Sequence, residues 1–147
     1  LIMSYCHVGH DSVVGDGVIM ANAAQLAGHV EVEDHAILGA LSGVHQFCRI
    51  GTMSIIGGCS KVVQDVPPYM MVDGNPATTR TLNKEGLKRN GVSEDTQASI
   101  RQAYRILFRS EQTFTNAVEQ VRADVASSSE LEHLLAFIES SERGIAK

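Results

Sequence analysis

Five of the chain's six histidines, His7, His10, His29, His35 and His45, fall in its first third, and Asp11 directly follows His10. A neutral imidazole with a carboxylate at its other nitrogen makes a general base, and the carboxylate stabilises the imidazolium that forms. Metal ligation is the rival chemistry for any histidine cluster. No C-x-x-C or H-E-x-x-H spacing is present, and side chains on one edge of the scaffold described below are expected to diverge, so no metal is expected. A hydroxyl nucleophile is not expected either, because no G-x-S-x-G run occurs.

The element that must position these residues is written in the aliphatic spacing. Ile2, Val8, Val14, Met20, Leu26, Val32, Leu38, Val44, Ile50, Ile56 and Val62 recur at every sixth position without a slip. Such a hexapeptide repeat builds a triangular prism, with one aliphatic per hexad on the axis and three hexads per coil of a parallel β-helix. Small residues two places earlier (Cys6, Ser12, Ala24, Ala36, Ser42, Cys48, Ser54, Ser60) are expected to let the chain turn each corner. Coils are predicted over 2–19, 20–37 and 38–55, with a partial fourth over 56–66.

Positions eighteen apart then stack as adjacent strands, roughly 4.8 Å apart. His10, Gly28 and Gln46 form one column, and Asp11, His29 and Phe47 its neighbour. His45 shares the adjoining column with Gly9 and Ala27, and His7 lies further along the same edge. Four histidines therefore gather on one edge, whereas His35 falls on another and serves as the control. Gly28 leaves its backbone N–H open one coil from His10, which suits a developing oxyanion; the same residue also suits an ordinary turn.

Prolines lack the donor that a ladder needs, so Pro67-Pro68 predicts the exit from the sheet. The predicted organisation is a β-solenoid over 1–66, a connecting loop over 67–81 and an α-helical domain over 82–147. Within the last, Leu82 to Asn90 suits a short basic helix and Ser93 a helix N-cap. Two further amphipathic helices carry Phe114 to Val125 and Leu131 to Ile138.

A net charge of −5 argues against a general nucleic-acid binder. No apolar run approaches the roughly 20 residues that span a bilayer. The three cysteines make an odd count, with Cys6 and Cys48 at small positions of the repeat, which suits buried thiols in a reducing cytoplasm. The repeat is already in register at Ile2 with no cap ahead of it, so the chain is expected to be the C-terminal part of a longer protein.

Four runs together resemble the bacterial UDP-N-acetylglucosamine O-acyltransferases, which open lipid A biosynthesis: C-H-V-G-H-D-S at Cys6–Ser12, L-A-G-H-V at Leu26–Val30, V-H-Q-F-C at Val44–Cys48 and G-L-K-R at Gly86–Arg89. The resemblance implies a left-handed parallel β-helix with a small C-terminal helical domain, assembled as a homotrimer with sites between neighbouring subunits. It implies that a (R)-3-hydroxyacyl group passes from acyl carrier protein to the 3-hydroxyl of UDP-N-acetylglucosamine, with no cofactor. His10 would then be the general base, Asp11 its orienting partner and Gly28 the oxyanion amide. His7, His29, His45 and Gln46 would contact substrate, and Asn83, Glu85 and Arg89 would bind the nucleotide sugar. Gly58 matches a position whose size sets acyl-chain length, and Pro76 replaces a histidine that some members have near the acyl groove. A related N-acyltransferase, a coenzyme A-dependent acetyltransferase and a truncated solenoid scaffold are the alternatives.

Overall fold

A computed structural model describes residues 1–147. Ten two-residue strands, β1 to β10 in chain order, occupy His7–Val8, Val13–Val14, Ile19–Met20, Gln25–Leu26, Glu31–Val32, Ile37–Leu38, Gly43–Val44, Arg49–Ile50, Ile55–Ile56 and Lys61–Val62. They stack in parallel into three faces. The first face is β1-β4-β7-β10, the second is β2-β5-β8, and β3, β6 and β9 belong to the third. Pairings such as His7 with Gln25 and Val32 with Ile50 fix the coil at eighteen residues. Met20, Leu26, Leu38, Ile50, Ile56 and Val62 fill the axis, each fully or almost fully buried.

The corners are not made as expected. Ala24, Ala36, Ser42, Cys48, Ser54 and Ser60 are buried beside the aliphatic stack, so the small residues fill the interior. The turn is made by the residue just before each of them. Every sixth residue from Tyr5 to Cys59 has a positive φ, Asp11 at 58° and His29 at 56° among them. Glycine immediately after the aliphatic serves close approach instead: a Cβ on Gly9 would lie 2.5 Å from the carbonyl of Ala27 in the next coil.

The chain also does not leave the sheet at Pro67-Pro68. Val66 bridges Ile50, and two further strands, β11 (Met70–Gly74) and β12 (Ala77–Leu82), extend the third face as an antiparallel hairpin. Met71 and Val72 pair with Ile55 and Ile56, so the fourth coil closes in sixteen residues rather than eighteen. The segment expected to be a loop is thus sheet. Its Val72 and Ala77 belong to the solenoid core while Met70 and Leu82 belong to the helical core, which joins the two cores through one hairpin.

Four helices follow: α1 (Lys84–Arg89), α2 (Glu94–Phe108), α3 (Phe114–Asp124) and α4 (Ser129–Glu139). Asn83, Ser93, Thr113 and Ser128 cap them by accepting an N–H of the first turn. Leu107, Val121, Leu134 and Phe137 share one core with Tyr69. The chain then returns to the solenoid, where Ile145 bridges Asp65 and Ala146 enters the solenoid core. No helix is long and apolar enough to cross a membrane.

Candidate active site

The corner between the first and second faces carries His10 and Asp11. Gly9 O accepts from Ser12 N to close the turn, and Ser12 Oγ donates to Ala27 O at 3.0 Å and accepts from Val30 N at 3.1 Å, which pins that turn to the next coil. His10 Nδ1 lies 2.9 Å from Asp11 Oδ2. A carboxylate only accepts, so Nδ1 carries the proton and Nε2 is left free to take one. The hydrogen bond from His10, and next the charge of His29, hold the Asp11 carboxyl below its ordinary range.

The eighteen-residue columns bring Gly28 directly against the His10 ring. A Cβ on Gly28 would lie 2.6 Å from His10 Nε2, so the ring rests on the space that glycine leaves. Phe47 N donates to Gly28 O, while the Gly28 N–H has no partner within the chain. A proton acceptor and an unpaired amide donor therefore share one corner. His29 meets His10 edge-on at 5.0 Å between centroids and stacks on Phe47 at 4.9 Å.

The other two histidines of the expected cluster lie around the corner. His7 and His45 line a cleft of about 360 Å³ on the first face together with Gln25, Gly43 and Lys61. His45 Nδ1 faces Gln46 O at 3.1 Å, and Gln46 lies exposed in the His10 column. The four histidines thus straddle the corner as two pairs rather than forming one cluster.

Divergence of the side chains fails for three of these residues. One donor atom each from His10, Asp11 and His29 lies within 4.8 Å of the others, because the corner backbone swings Asp11 and His29 toward the same side. Asp11 Oδ2 is 3.7 Å from His29 Nε2 as well as bonded to His10, so one carboxylate serves both rings.

A polar cavity of about 510 Å³ on the far side of Asp11 and His29 adds two cations that sequence reading missed, Arg49 and Arg143. Arg49 lies over the Phe137 ring at 4.2 Å, and Arg143 donates to Val63 O at 3.0 Å. Arg143 arrives only through the return of the C-terminal segment, for which no local sequence signal exists.

Asn83, Glu85 and Arg89 lie elsewhere. Asn83 Nδ2 donates to Met53 O at 2.7 Å, which ties α1 to the corner between the second and third faces. Its Oδ1 accepts from Gly86 N at 3.0 Å, so both ends of this buried amide are already engaged in holding the helix. Glu85 and Arg89 are exposed. A whole face, at most about 20 Å of extended chain, separates this corner from His10. One chain does not bring the two groups together.

Gly58 and Pro76 share the third corner. A Cβ on Gly58 would lie 3.3 Å from Ala40 O, which is tight but open on its other sides. Ser60 Oγ donates to Asp73 Oδ1 at 3.0 Å and accepts from Gly74 N at 3.1 Å, which holds the hairpin turn with Pro76 beside it.

A parallel β-helix of hexads whose corner pairs an oriented imidazole with a free amide defines the class of hexapeptide-repeat acyltransferases. Within that class the chain belongs to the UDP N-acetylglucosamine O-acyltransferase family, whose domain 2 matches residues 65–146. It is 46% identical to the acyl-[acyl-carrier-protein]--UDP-N-acetylglucosamine O-acyltransferase of Burkholderia lata and covers 57% of that protein with 99% of its own length. The enzyme of the same name from Thiobacillus denitrificans matches with the same identity and coverage. Among solved structures, LpxA from Acinetobacter baumannii superposes on the whole chain with a TM-score of 0.94 at 43% identity, and the chain covers 57% of it. The fold is accordingly the parallel β-helix with C-terminal helices that the resemblance implied. The chain spans little more than half the length of these relatives.

Proposed function

We propose that this chain carries the acyl-transfer site of an acyl-carrier-protein-dependent UDP-N-acetylglucosamine O-acyltransferase, the first step of lipid A biosynthesis. The observation that carries the reading is the His10 ring, bonded to Asp11 through Nδ1 and resting on Gly28. His10 Nε2 takes the proton of the sugar 3-hydroxyl as its oxygen attacks the thioester carbonyl. The oxyanion forms against the Gly28 N–H, and collapse expels the carrier's thiolate, which takes the proton back from His10. The products are the 3-O-acyl sugar nucleotide and the free carrier thiol. A thioester is activated enough for one base and one amide donor to suffice, so the mechanism needs no cofactor. His29, held on Asp11 and Phe47, lines the acceptor side with Gln46.

The first face suits the acyl chain. It leads from the His10 corner, past His7 and His45, to the corner of Gly58 and Pro76. Gly43 stands at the start of β7 in the column of His7, Gln25 and Lys61, and a Cβ there would meet nothing within 4 Å. A glycine in a strand often marks close approach of a ligand. Gly43→Val is therefore expected to lower kcat/KM roughly 10- to 100-fold for the longest acyl donors while sparing short ones. Donors of graded length in one assay would measure this, and an equal loss for every length would exclude the path.

Since Asn83, Glu85 and Arg89 lie one face away from His10, a second copy completes the site, as in the homotrimer that the resemblance implies. Tyr5, Val13, Leu41 and Phe47 are more than half exposed, which supports burial against neighbours. Met53, by contrast, packs against the helical core. Arg89 has no ion-pair partner within the chain and suits a phosphate of the nucleotide sugar through its planar fork. Arg89→Ala is expected to raise the KM for UDP-N-acetylglucosamine by the equivalent of about 1.5–3 kcal/mol, with lysine rescuing only in part. A lowered melting temperature with KM unchanged would make Arg89 a helix-end charge only. Lys88 beside it suits the acidic carrier protein. Three unpaired cysteines support a cytoplasmic location.

The test of the whole reading is product formation. A form as long as these relatives is expected to move a 3-hydroxyacyl group from carrier to the sugar 3-oxygen. Transfer only to an amine, or only from coenzyme A, would favour the N-acyltransferase or acetyltransferase reading.

A further inference from the structure

His35 sits at the corner that its column requires, yet it is not the isolated surface histidine expected there. Its ring lines a cleft of about 210 Å³ with Asn83, Glu85, Arg89 and Asn90. The imidazole makes no hydrogen bond and no ion pair within the chain. Arg89 is equally unpartnered, and Glu85 is the only carboxylate lining the cleft. Two unengaged donors, one a permanent cation, thus face one small space.

The position of the ring is built into the neighbouring coil. From Tyr5 to Cys59 the positive-φ corner residue is Tyr, Asp, Ala, His, His, Leu, Phe, Met or Cys, so this fold does not need glycine there. Gly17 is the one exception. A Cβ on Gly17 would lie 2.3 Å from His35 Nδ1 and 2.7 Å from its Cε1, too close for both to stay where they are. Glycine is therefore present for room rather than for backbone freedom, and the room holds the ring of the next coil against the α1 cleft. The His10 ring on Gly28 repeats the same construction at the catalytic corner.

We propose that His35 is a further substrate-binding residue, whose imidazole, laid over Gly17, donates to the diphosphate of the nucleotide sugar beside Arg89. This rests on the acyltransferase reading above. Two donors from different elements, His35 on the solenoid and Arg89 on α1, then grip one anion, and Glu85 accepts from a hydroxyl of the same ligand.

The test is kinetic, with transfer by the wild-type protein established first. His35→Ala is expected to raise the KM for UDP-N-acetylglucosamine roughly tenfold, leaving kcat and the KM for the acyl carrier near their original values. His35→Phe, which keeps the ring's packing but not its nitrogens, should behave the same way. Gly17→Ala displaces the ring and should raise the same KM; alanine already holds the equivalent corner at Ala23, with φ 61°. The double variant should be no worse than His35→Ala alone, because both changes remove one contact. A wild-type KM in His35→Phe, or additive effects in the double variant, would overturn the proposal while leaving the acyltransferase reading intact. Absence of transfer by the wild-type protein would remove that reading and this one with it.

Discussion

Replacing His10 by alanine is expected to lower the rate of acyl transfer by roughly 10²–10⁴-fold and to leave the solenoid folded. The two halves of that expectation have separate grounds. The His10 side chain is 76% exposed and bonds only to Asp11, so its loss opens no cavity and strands no buried partner. The reaction, however, would lose the proton acceptor that stands beside the Gly28 amide. Turnover under saturating substrates, paired with a thermal unfolding curve, separates the two. A full-strength enzyme, or one that unfolds with the substitution, would remove His10 from the role of base.

Gly28→Ala is expected to cost roughly 10²–10³-fold in kcat, although it adds only one methyl group. The backbone of Gly28 lies outside the left-handed region, so alanine causes no strain there. The new Cβ instead meets the His10 ring, at 2.6 Å from Nε2 and 2.7 Å from Cε1. An exposed ring gives way readily, which moves the base off the acceptor hydroxyl and covers the approach to the amide. Combining Gly28→Ala with His10→Ala should therefore be little worse than His10→Ala alone. Multiplicative losses would mean that the glycine acts independently of the base, and an unchanged kcat would mean that Gly28 is only a turn.

Much of this geometry could be read from spacing because an eighteen-residue coil converts sequence distance into spatial neighbours without further information. The column of His10, Gly28 and Gln46, and that of Asp11, His29 and Phe47, follow from counting alone. Counting failed where chemistry at a corner depends on side-chain direction. The split of His7 and His45 from His10 follows from which residues lie on the face and which on the turn. The positive-φ corner residues were invisible because Tyr5, Leu41, Phe47 and Met53 are not types that announce a left-handed backbone. Pro67-Pro68 read locally as an exit, yet the inward-facing Val72 and Ala77 continue the core in a coil two residues short. Arg143 and the companions of His35 were out of reach, since both depend on how the helical segment folds back onto the solenoid.

The His10 corner of one copy is expected to work with the Arg89 cleft of another. Mixed assemblies test it most directly. His10→Ala and Arg89→Ala subunits, each weak alone, would be unfolded together, reassembled and assayed for transfer at a UDP-N-acetylglucosamine concentration well below the KM of the Arg89→Ala protein. Shared sites predict recovered turnover at that concentration, because some interfaces then pair an intact His10 with an intact Arg89. Turnover no greater than the average of the two separate variants, in assemblies proved to be mixed, would contradict a site shared between copies.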